Sequence, residues 1–219
     1  MPGRIIAIGD IHGCSMALAS LLDAIAPRPD DTIVTLGDYV DRGLDSKGVL
    51  DQLIALADHC RLVPILGNHD EMMLHAKDGK SDYQFWMNCG GIVALDSYGE
   101  TGRLELVPRE HFRFLENCLP YFETETHFFV HANYRAELAL DRQDDQTLRW
   151  LSLMDHLPGP HCSGKVAVLG HTPQHEVLDL GQLVCLDTGC CDGGWLTSLD
   201  LATGRLWQAD EQGQLREKA

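Results

Sequence analysis

The sequence predicts a mixed α/β (α+β) fold, and three observations support this prediction. Runs of apolar and β-branched residues at 4–8, 32–36 and 62–66 are typical of buried strands. The segments between these runs carry apolar side chains at helical spacing. From residue 177 onward, short strand-like runs alternate with turns, as in antiparallel sheets.

The first part of the chain predicts a βαβαβ unit. Its first helix has an apolar stripe at i, i+3, i+4 and i+7, formed by Leu18, Leu21, Leu22 and Ile25. A second amphipathic helix is predicted over 46–57. Strands joined in this way are parallel, with right-handed crossovers. The carboxyl ends of the three strands should therefore meet at the sheet edge where ligands bind in open α/β sheets.

The segment at about 71–119 has a different texture, because a short helix at 71–75 is followed by polar breaks and mixed apolar runs. We expect a mainly helical excursion here, which flanks the site and contributes to substrate selectivity. A chain of 219 residues can bury a sizeable core as one unit. The prediction is therefore a single domain over 1–219 that includes this excursion.

Two further strands are predicted at 126–131 and 165–169. The first ends in His131, and the second is followed by Gly170 and His171. The tail is predicted to form a second, mostly antiparallel sheet from short strands at 177–180, 183–187, 195–199 and 205–208.

The chain carries 17 basic and 33 acidic residues, a formal net charge of −16. That charge repels nucleic acid and anionic membranes, so neither is expected as a partner. No apolar run approaches the roughly 20 residues needed to cross a bilayer, and the N-terminus lacks a signal-peptide pattern. The eight cysteines form no CxxC pair, which is typical of reduced thiols. We therefore expect a cytoplasmic protein.

Polar side chains follow five of the predicted strands at the point where each strand ends. The candidate metal ligands among them are Asp10, His12, Asp38, Asn68, His131 and His171. Mixed oxygen and nitrogen ligands suit divalent Mn, Fe, Zn or Ni, and a carboxylate such as Asp38 can bridge two ions. Asp10, Asp38 or Asn68 alone would be a turn residue about as often as a ligand, and His131 or His171 alone would more often be a core histidine. Together, however, these residues indicate a site.

Two divalent ions about 3.5 to 4 Å apart can activate a hydroxide and neutralise the attacking and leaving oxygens at phosphorus. Phosphoester hydrolysis is the reaction class that needs this most. Arg42 offers a planar fork for two phosphate oxygens, and His69 follows Asn68 where it could protonate the leaving oxygen. Either Asp41 or Asp70 could accept the other ring N–H of His69.

Five motifs in order resemble the signature series of a known family. They are Gly9-Asp-Ile-His-Gly13, Gly37-Asp-Tyr-Val-Asp-Arg-Gly43, Gly67-Asn-His-Asp70, His131 and Gly170-His171. The series resembles that of the phosphoprotein phosphatases, in particular their bacterial and phage members, within the calcineurin-like metallophosphoesterases. The resemblance implies a central β-sandwich flanked by helices.

The resemblance also implies a role for each residue. Asp10 and His12 would hold the first metal ion, and Asp38 would bridge. The second ion would be held by Asn68, His131 and His171. His69 would be the general acid, partnered by Asp41 rather than Asp70, and Arg42 would clamp phosphate.

The sequence departs from the family pattern at two points. Ala132 follows His131 where the family usually has Gly, a small change that leaves the ligand intact. The second phosphate-binding arginine is not at its usual place after Trp150, where Ser152 stands. Arg149 is the first candidate for that role, with Arg135 and Arg142 behind it. The predicted substrate-binding residues are then Arg42, Asn68 and Arg149.

Three functions are compatible with the motifs. The leading prediction is a metal-dependent phosphomonoesterase of the serine/threonine protein phosphatase type, acting on a phosphoprotein or a small phosphoester with two divalent ions, Mn foremost. The alternative is a diadenosine tetraphosphate hydrolase, because bacterial relatives use the same site on that substrate. An inactive metal-binding scaffold should have lost ligands or the acid, whereas all six ligands, His69 and Arg42 are present.

Overall fold

The computed structural model describes residues 3–100 and 102–216 and contains two β-sheets with helices on the outside. The α-helices are α1 (Ser15–Ile25), α2 (Ser46–Ala57), α3 (Asn68–His75), α4 (Lys80–Trp86), α5 (Ile92–Asp96), α6 (Arg109–Glu116) and α7 (Asp145–Trp150). The strands of the first sheet are β1 (Ile5–Ile8), β2 (Thr32–Thr35), β3 (Arg61–Pro64), β9 (Asp187–Thr188), β10 (Trp195–Asp200) and β11 (Leu206–Ala209). Those of the second are β4 (Phe122–Glu123), β5 (His127–Phe129), β6 (Val166–Leu169), β7 (Leu178–Asp179) and β8 (Leu183–Cys185).

The first sheet has the strand order β11-β10-β1-β2-β3, with β9 also paired to β10. Strands β1, β2 and β3 are parallel, in a register that aligns Ile6 with Ile33 and Ile33 with Leu62. The predicted βαβαβ unit is confirmed, because α1 and α2 connect these strands and begin and end close to the predicted positions.

The tail strands do not form a separate antiparallel sheet, so that prediction was wrong. Strands β7 and β8 belong to the second sheet, where β8 runs parallel to β6, whereas β9, β10 and β11 complete the first sheet. The chain changes sheets at Leu186, whose N–H still donates to Leu169 O at 2.8 Å before Asp187 pairs with Leu196. Alternation of apolar and polar residues predicts a strand but does not say which sheet the strand joins.

The core has three layers. Between the sheets, Ala7, Val34 and Val63 of the first pack against Phe129 and Val168 of the second. The outer face of the first sheet is covered by α1, α2 and the excursion. A smaller cluster covers the outer face of the second sheet. The core shared between the two sheets supports the single domain over 1–219, which stays a prediction.

The segment after β3 is helical in its described part and returns to the strand it left. Helix α3 begins at Asn68, three residues before the predicted start, because the extended Gly67 precedes it and Asp70 accepts the Gly67 N–H at 3.1 Å. At the far end, Leu119 N–H donates to Pro64 O at 2.8 Å and Leu119 O accepts from Leu66 N–H at 2.9 Å. Across the described residues, every helix is too short or too polar to span a bilayer.

Candidate active site

The carboxyl ends of five strands bring the six predicted ligands together. Asp10 and His12 follow β1, Asp38 follows β2 and Asn68 follows β3. The second sheet supplies the remaining two, since His131 follows β5 and His171 follows β6. All but His171 are buried. Parallel strands with matched ends place side chains from distant parts of the chain in one depression, as the sequence pattern predicted.

The glycines at the strand ends allow neighbouring side chains to approach the backbone closely. Four of these strands are followed by a glycine, namely Gly9, Gly37, Gly67 and Gly170. Among them, only Gly37 has a left-handed backbone, with φ of 101°. A Cβ at Gly67 would lie 2.2 Å from Asp38 Oδ1, and one at Gly170 would lie 1.9 Å from Asp10 Oδ1. Gly67 and Gly170 therefore leave room for the carboxylates of Asp38 and Asp10.

Non-glycine site residues make the left-handed turns instead. Positive φ angles occur at His12 (43°), Asp38 (50°), Asp41 (74°), Arg42 (66°) and His171 (64°). Such residues are uncommon, cost of order 1 to 3 kcal/mol each and cluster at functional sites. The strain is concentrated at the edge where the candidate ligands meet.

Asp38 lies at the centre of the site, with a different imidazole facing each of its oxygens. His12 Nε2 lies 3.3 Å from Oδ2, and His131 Nε2 lies 3.5 Å from Oδ1. Burial raises the pKa of the Asp38 carboxyl, but the nearby imidazoles outweigh burial and hold the pKa well below its usual range. Asp38 is therefore an ionised carboxylate with histidines on two sides, which suits a bridging ligand.

Backbone carbonyls fix the orientation of two of these histidines. His12 Nδ1 bonds to Val40 O at 3.0 Å, and His131 Nδ1 bonds to Leu36 O at 2.7 Å. Burial lowers the pKa of His131 to about 4, so this ring is neutral near pH 7. With the Nδ1 proton of His131 donated to the Leu36 carbonyl, Nε2 keeps a lone pair that a cation beside Asp38 could accept, the arrangement usual for metal-binding histidines.

Asn68 joins the other two imidazoles. Its Oδ1 lies 2.9 Å from His131 Nε2 and 2.9 Å from His171 Nδ1. The ligand atoms of Asp38, His131 and His171 all lie within 4.8 Å of one another. One cation could thus contact both histidines, the Asn68 amide oxygen and one oxygen of Asp38.

Asp10 shows that the donor set fits a cation. Its Oδ2 accepts the His171 backbone N–H at 2.9 Å, but its Oδ1 is buried and has no hydrogen-bond partner within the described residues. Burial raises the pKa of Asp10, and the neighbouring carboxylates of Asp187 and Asp38 raise it further. A buried carboxylate oxygen without a partner is costly, and a divalent cation would satisfy it. Asp10 nevertheless lies outside the two groups of ligand atoms that come within 4.8 Å of one another in the described chain.

His69 is bonded in a different way from the six ligands. Its Nδ1 lies 2.7 Å from Asp41 Oδ2, and its Nε2 lies 3.2 Å from Arg42 Nη2. Asp70 instead accepts the backbone N–H groups of Tyr39 at 2.9 Å and Gly67. Of the two carboxylates left open by the residue pattern, Asp41 is the one in contact with His69.

A ligand atom of His69 also lies within 4.8 Å of those of His12 and Asp38. Geometry alone would allow a cation among these three. The Arg42 guanidinium beside His69 Nε2 would repel that cation, however, whereas Asp10 offers a buried carboxylate oxygen without a partner. That Asp10, and not His69, is the third group of that set stays a prediction.

Arg149 is engaged by two carboxylates. Its Nη2 lies 2.8 Å from Glu71 Oε1 and 2.8 Å from Asp145 Oδ2. The next residue, Trp150, donates from Nε1 to Glu71 Oε2 at 2.7 Å and accepts from His171 at its backbone oxygen. This ion-pair cluster ties α3 to α7 behind His171, so Arg149 differs from Arg42 in having its charge already balanced.

Two residues near the site were missed from the sequence. Asp187 is buried beside Asp10, and its Oδ1 accepts Gly189 N–H at 3.0 Å. The signal was present, because Asp187 ends a strand-like run as the predicted ligands do. Trp86 is fully buried and donates to Asp41, but nothing in a tryptophan within a helical segment pointed to that contact.

Comparisons with known proteins agree with this geometry. The family model described as calcineurin-like phosphoesterase matches residues 3–200. The chain is 28% identical over 208 residues to serine/threonine-protein phosphatase 1 of Salmonella typhimurium, which covers 87% of this chain and 88% of that relative.

A second relative is named for the hydrolysis of a dinucleoside tetraphosphate, not of a phosphoprotein. The chain is 39% identical over 168 residues to the symmetrical bis(5'-nucleosyl)-tetraphosphatase of Burkholderia pseudomallei, which covers 72% of this chain and 55% of that relative. A crystal structure of a candidate diadenosine tetraphosphatase superposes with a TM-score of 0.73 at 23% identity, over 95% of this chain and 94% of the other. At that identity the likeness shows the fold alone.

The family match extends from before β1 to the end of β10 and therefore includes every strand end that supplies a candidate ligand. This protein accordingly belongs to the calcineurin-like phosphoesterase family, whose members are hydrolases that use divalent metal ions.

Proposed function

We propose that the protein hydrolyses phosphate monoesters and that its substrates are phosphoserine or phosphothreonine proteins. The observation that carries the proposal is the 3.2 Å approach of Arg42 Nη2 to His69 Nε2 beside the six candidate ligands. The Arg42 guanidinium, which would bind phosphate, and the His69 imidazole, which would protonate the leaving oxygen, thus lie next to each other beside the predicted cation site. One phosphoryl group, with one leaving oxygen, fits that arrangement.

The cation side of the site would hold two divalent ions. Asp10, His12 and Asp38 would hold one ion. The other would be held by Asp38 together with Asn68, His131 and His171. When bound, such ions activate water and neutralise charge at phosphorus. Mixed carboxylate, amide and imidazole donors suit borderline ions, and Mn is our first choice.

The chain's own residues would bind, orient and protonate. Arg42 would bind two phosphate oxygens through its planar guanidinium, with the Asn68 amide beside it. Nδ1 of His69 is held by Asp41, so Nε2 is the atom that would deliver the proton to the leaving oxygen. Nε2 accepts from the Arg42 guanidinium in the structure, so it would carry that proton only once a bound phosphate takes over the Arg42 N–H. The Asp41 carboxylate would fix the ring and stabilise its protonated form. General acid catalysis of this kind is typically worth about 10² to 10⁴-fold.

Charge favours a monoester over a dinucleoside polyphosphate. A tetraphosphate chain carries several negative charges, but the Arg149 guanidinium is already paired with Glu71 and Asp145, and the protein has a net charge of −16. Arg42 contacts His69 and forms no ion pair with a carboxylate of the described residues, so it is the stronger candidate for binding phosphate. Arg149 remains the first candidate for a second phosphate contact, should the bound substrate displace one of its partners.

Hydrolysis of diadenosine tetraphosphate is the second candidate, favoured by the 39% identical relative. That relative is matched over little more than half its length, whereas the phosphatase relative is matched over 88%.

All eight cysteines are free thiols, which supports our proposal of a cytoplasmic location.

A panel of substrates tests the proposal. The Mn-loaded protein would be given phosphoserine and phosphothreonine peptides, p-nitrophenyl phosphate and diadenosine tetraphosphate, with phosphate release and nucleotide products measured separately. We expect the phosphopeptides to have the higher kcat/KM by about tenfold or more. A higher kcat/KM on diadenosine tetraphosphate, yielding two molecules of ADP, would establish the second candidate instead.

A further inference from the structure

Trp86, at the end of α4, is fully buried and points its indole N–H at Asp41. The Nε1 atom lies 2.9 Å from Asp41 Oδ1 and 3.0 Å from Oδ2. The same carboxylate contacts His69 Nδ1 at 2.7 Å. The three side chains form a continuous series from the helical excursion to the proposed proton donor.

We propose that Trp86 is a positioning residue for the reaction: its indole N–H holds the Asp41 carboxylate so that Oδ2 faces His69 and keeps the imidazole aimed at the leaving oxygen. The inference rests on the proposed function, because it assigns a partner to the proposed acid. It also gives the excursion a part in the chemistry, beyond the substrate selectivity that the sequence suggested.

The Asp41 carboxylate needs a second donor to keep its orientation. The terminal torsion of an aspartate is broad and roughly two-fold, so one hydrogen bond from His69 does not fix the carboxylate plane. Asp41 is fully buried on a loop with φ of 74°, and burial raises its pKa. A donor shared by both oxygens restricts rotation and favours the ionised carboxylate, which is the form that accepts from His69.

The backbone after Trp86 is packed to hold this contact. A Cβ at Gly91 would lie 2.6 Å from the Trp86 ring, so the chain passes directly over the indole. Gly90 has φ of 125°, and a Cβ there would lie 3.0 Å from Asp41 Cβ and 3.2 Å from Arg42 N. The turn at 86–91 therefore packs against both the indole ring and the segment that carries Asp41 and Arg42.

The chain offers a matched control for removing an indole N–H. Trp207 is 8% exposed in the core of the first sheet, and its Nε1 is buried without a hydrogen-bond partner among the described residues. Trp207→Phe removes the same atoms as Trp86→Phe but removes no hydrogen bond. Any general cost of replacing a core tryptophan by phenylalanine appears in both variants.

The first experiment compares kcat and KM of both variants on a phosphoserine peptide and on p-nitrophenyl phosphate. The alkoxide of serine needs a proton to depart, whereas p-nitrophenolate spreads its own charge. We expect Trp86→Phe to lose about 10 to 100-fold in kcat on the phosphoserine peptide, the range seen when the partner that orients a site residue is removed. The loss on p-nitrophenyl phosphate should be several-fold smaller, KM should change little, and Trp207→Phe should match the parent protein on both substrates.

The second experiment is a double-mutant cycle with the acid. If Trp86 acts through His69, adding Trp86→Phe to His69→Asn should cause no further loss on the phosphoserine peptide, because effects through one group are not additive. Losses that multiply in the double variant would overturn the inference. So would an equal loss on both substrates in Trp86→Phe alone, since that is the signature of a merely structural role.

Two further outcomes are distinguishable. If His69→Asn itself loses equally on both substrates, the proposed acid is wrong and the role of Trp86 falls with it. If His69→Asn discriminates between the substrates but Trp86→Phe behaves like Trp207→Phe, only the present inference fails. Should Trp86→Phe not fold, replacement of Trp86 by benzothienylalanine, which keeps the ring shape and lacks the N–H, gives the same comparison.

Discussion

Asp10 and Asp41 are buried carboxylates in the same site, yet their bonding is opposite. Asp10 has one oxygen bound to the His171 N–H and one without a partner in the described chain. Asp41 has both oxygens bonded, to His69 and Trp86. The difference divides the site into a cation side, where a buried carboxylate oxygen of Asp10 has no partner in the described chain, and a proton-donor side, where both oxygens of Asp41 are bonded.

The two sides of the site differ in what holds their carboxylates in place. On the cation side, burial and the neighbouring carboxylate of Asp38 raise the pKa values of Asp10 and Asp187, so bringing these carboxylates together costs free energy. On the proton-donor side, His69 and Trp86 bond to the Asp41 carboxylate. Loss of the ions should therefore abolish activity while leaving the His69 geometry intact. Loss of the Asp41 bonds should disturb the His69 geometry and lower activity while leaving ion binding intact. The predictions below test that contrast, beginning with the largest effect.

Asp38→Asn should be the most damaging change, because Asp38 alone would contact both ions. We expect kcat/KM to fall by about 10⁴-fold or more, since each ion supplies several kcal/mol of transition-state stabilisation. Asp10→Asn and His12→Gln should each cost less. Kinetics combined with elemental analysis of each variant measure this. Asp38→Asn protein that retains both ions and substantial activity would remove the bridging role.

His69→Asn should break the proton-donor side and leave the cation side unchanged. We expect a loss of about 10² to 10⁴-fold on phosphoserine peptides and a distinctly smaller loss on p-nitrophenyl phosphate. Asp41→Asn should show the same pattern in milder form, because it only orients and stabilises the imidazole. Metal content should equal that of the parent protein in both variants, and its loss in His69→Asn would place His69 among the ligands.

The two arginines should respond differently to replacement by lysine. Arg42→Lys keeps the charge but loses the fork, so we expect kcat/KM to fall by about tenfold to 100-fold. Arg149→Lys should change kcat/KM by less than about threefold and lower the melting temperature instead, provided that its ion pairs with Glu71 and Asp145 persist when substrate is bound. If the two variants lose equally in kcat/KM, Arg149 is the second phosphate clamp.

Asp31 is a third buried carboxylate and serves as the control remote from the chemistry. Arg4 and Arg28 both bond to it, and these bonds outweigh burial and lower its pKa. Asp31→Asn should leave kcat unchanged and reduce the unfolding free energy at pH 7 by about 2 kcal/mol.

The pH dependence of that difference has a defined sign. The folded-state pKa of Asp31 lies below the unfolded value near 3.9. Its stabilisation is therefore fully present above about pH 5 and declines as the pH falls through the folded-state pKa. Denaturant unfolding of both proteins at several pH values measures this, and a difference that grows on acidification would contradict it.

The sequence predicted the cation side far better than the proton-donor side. Each candidate ligand directly follows an apolar strand, and parallel strands align their ends without further information. Asp41 and His69 were found through their neighbours in the same motifs. Trp86 was not, because its contact with Asp41 spans 45 positions and depends on how the excursion packs. The sheet assignment of β7 to β11 failed for the same reason, since pairing partners are set by tertiary packing.

Calorimetric titration of the chelator-treated protein with Mn tests the central claim most directly, because it measures the binding for which the donors of the cation side are arranged. We expect two ions per chain, return of phosphatase activity in step with their binding, and loss of the second ion in His131→Ala. Full activity with one ion or none would contradict the account.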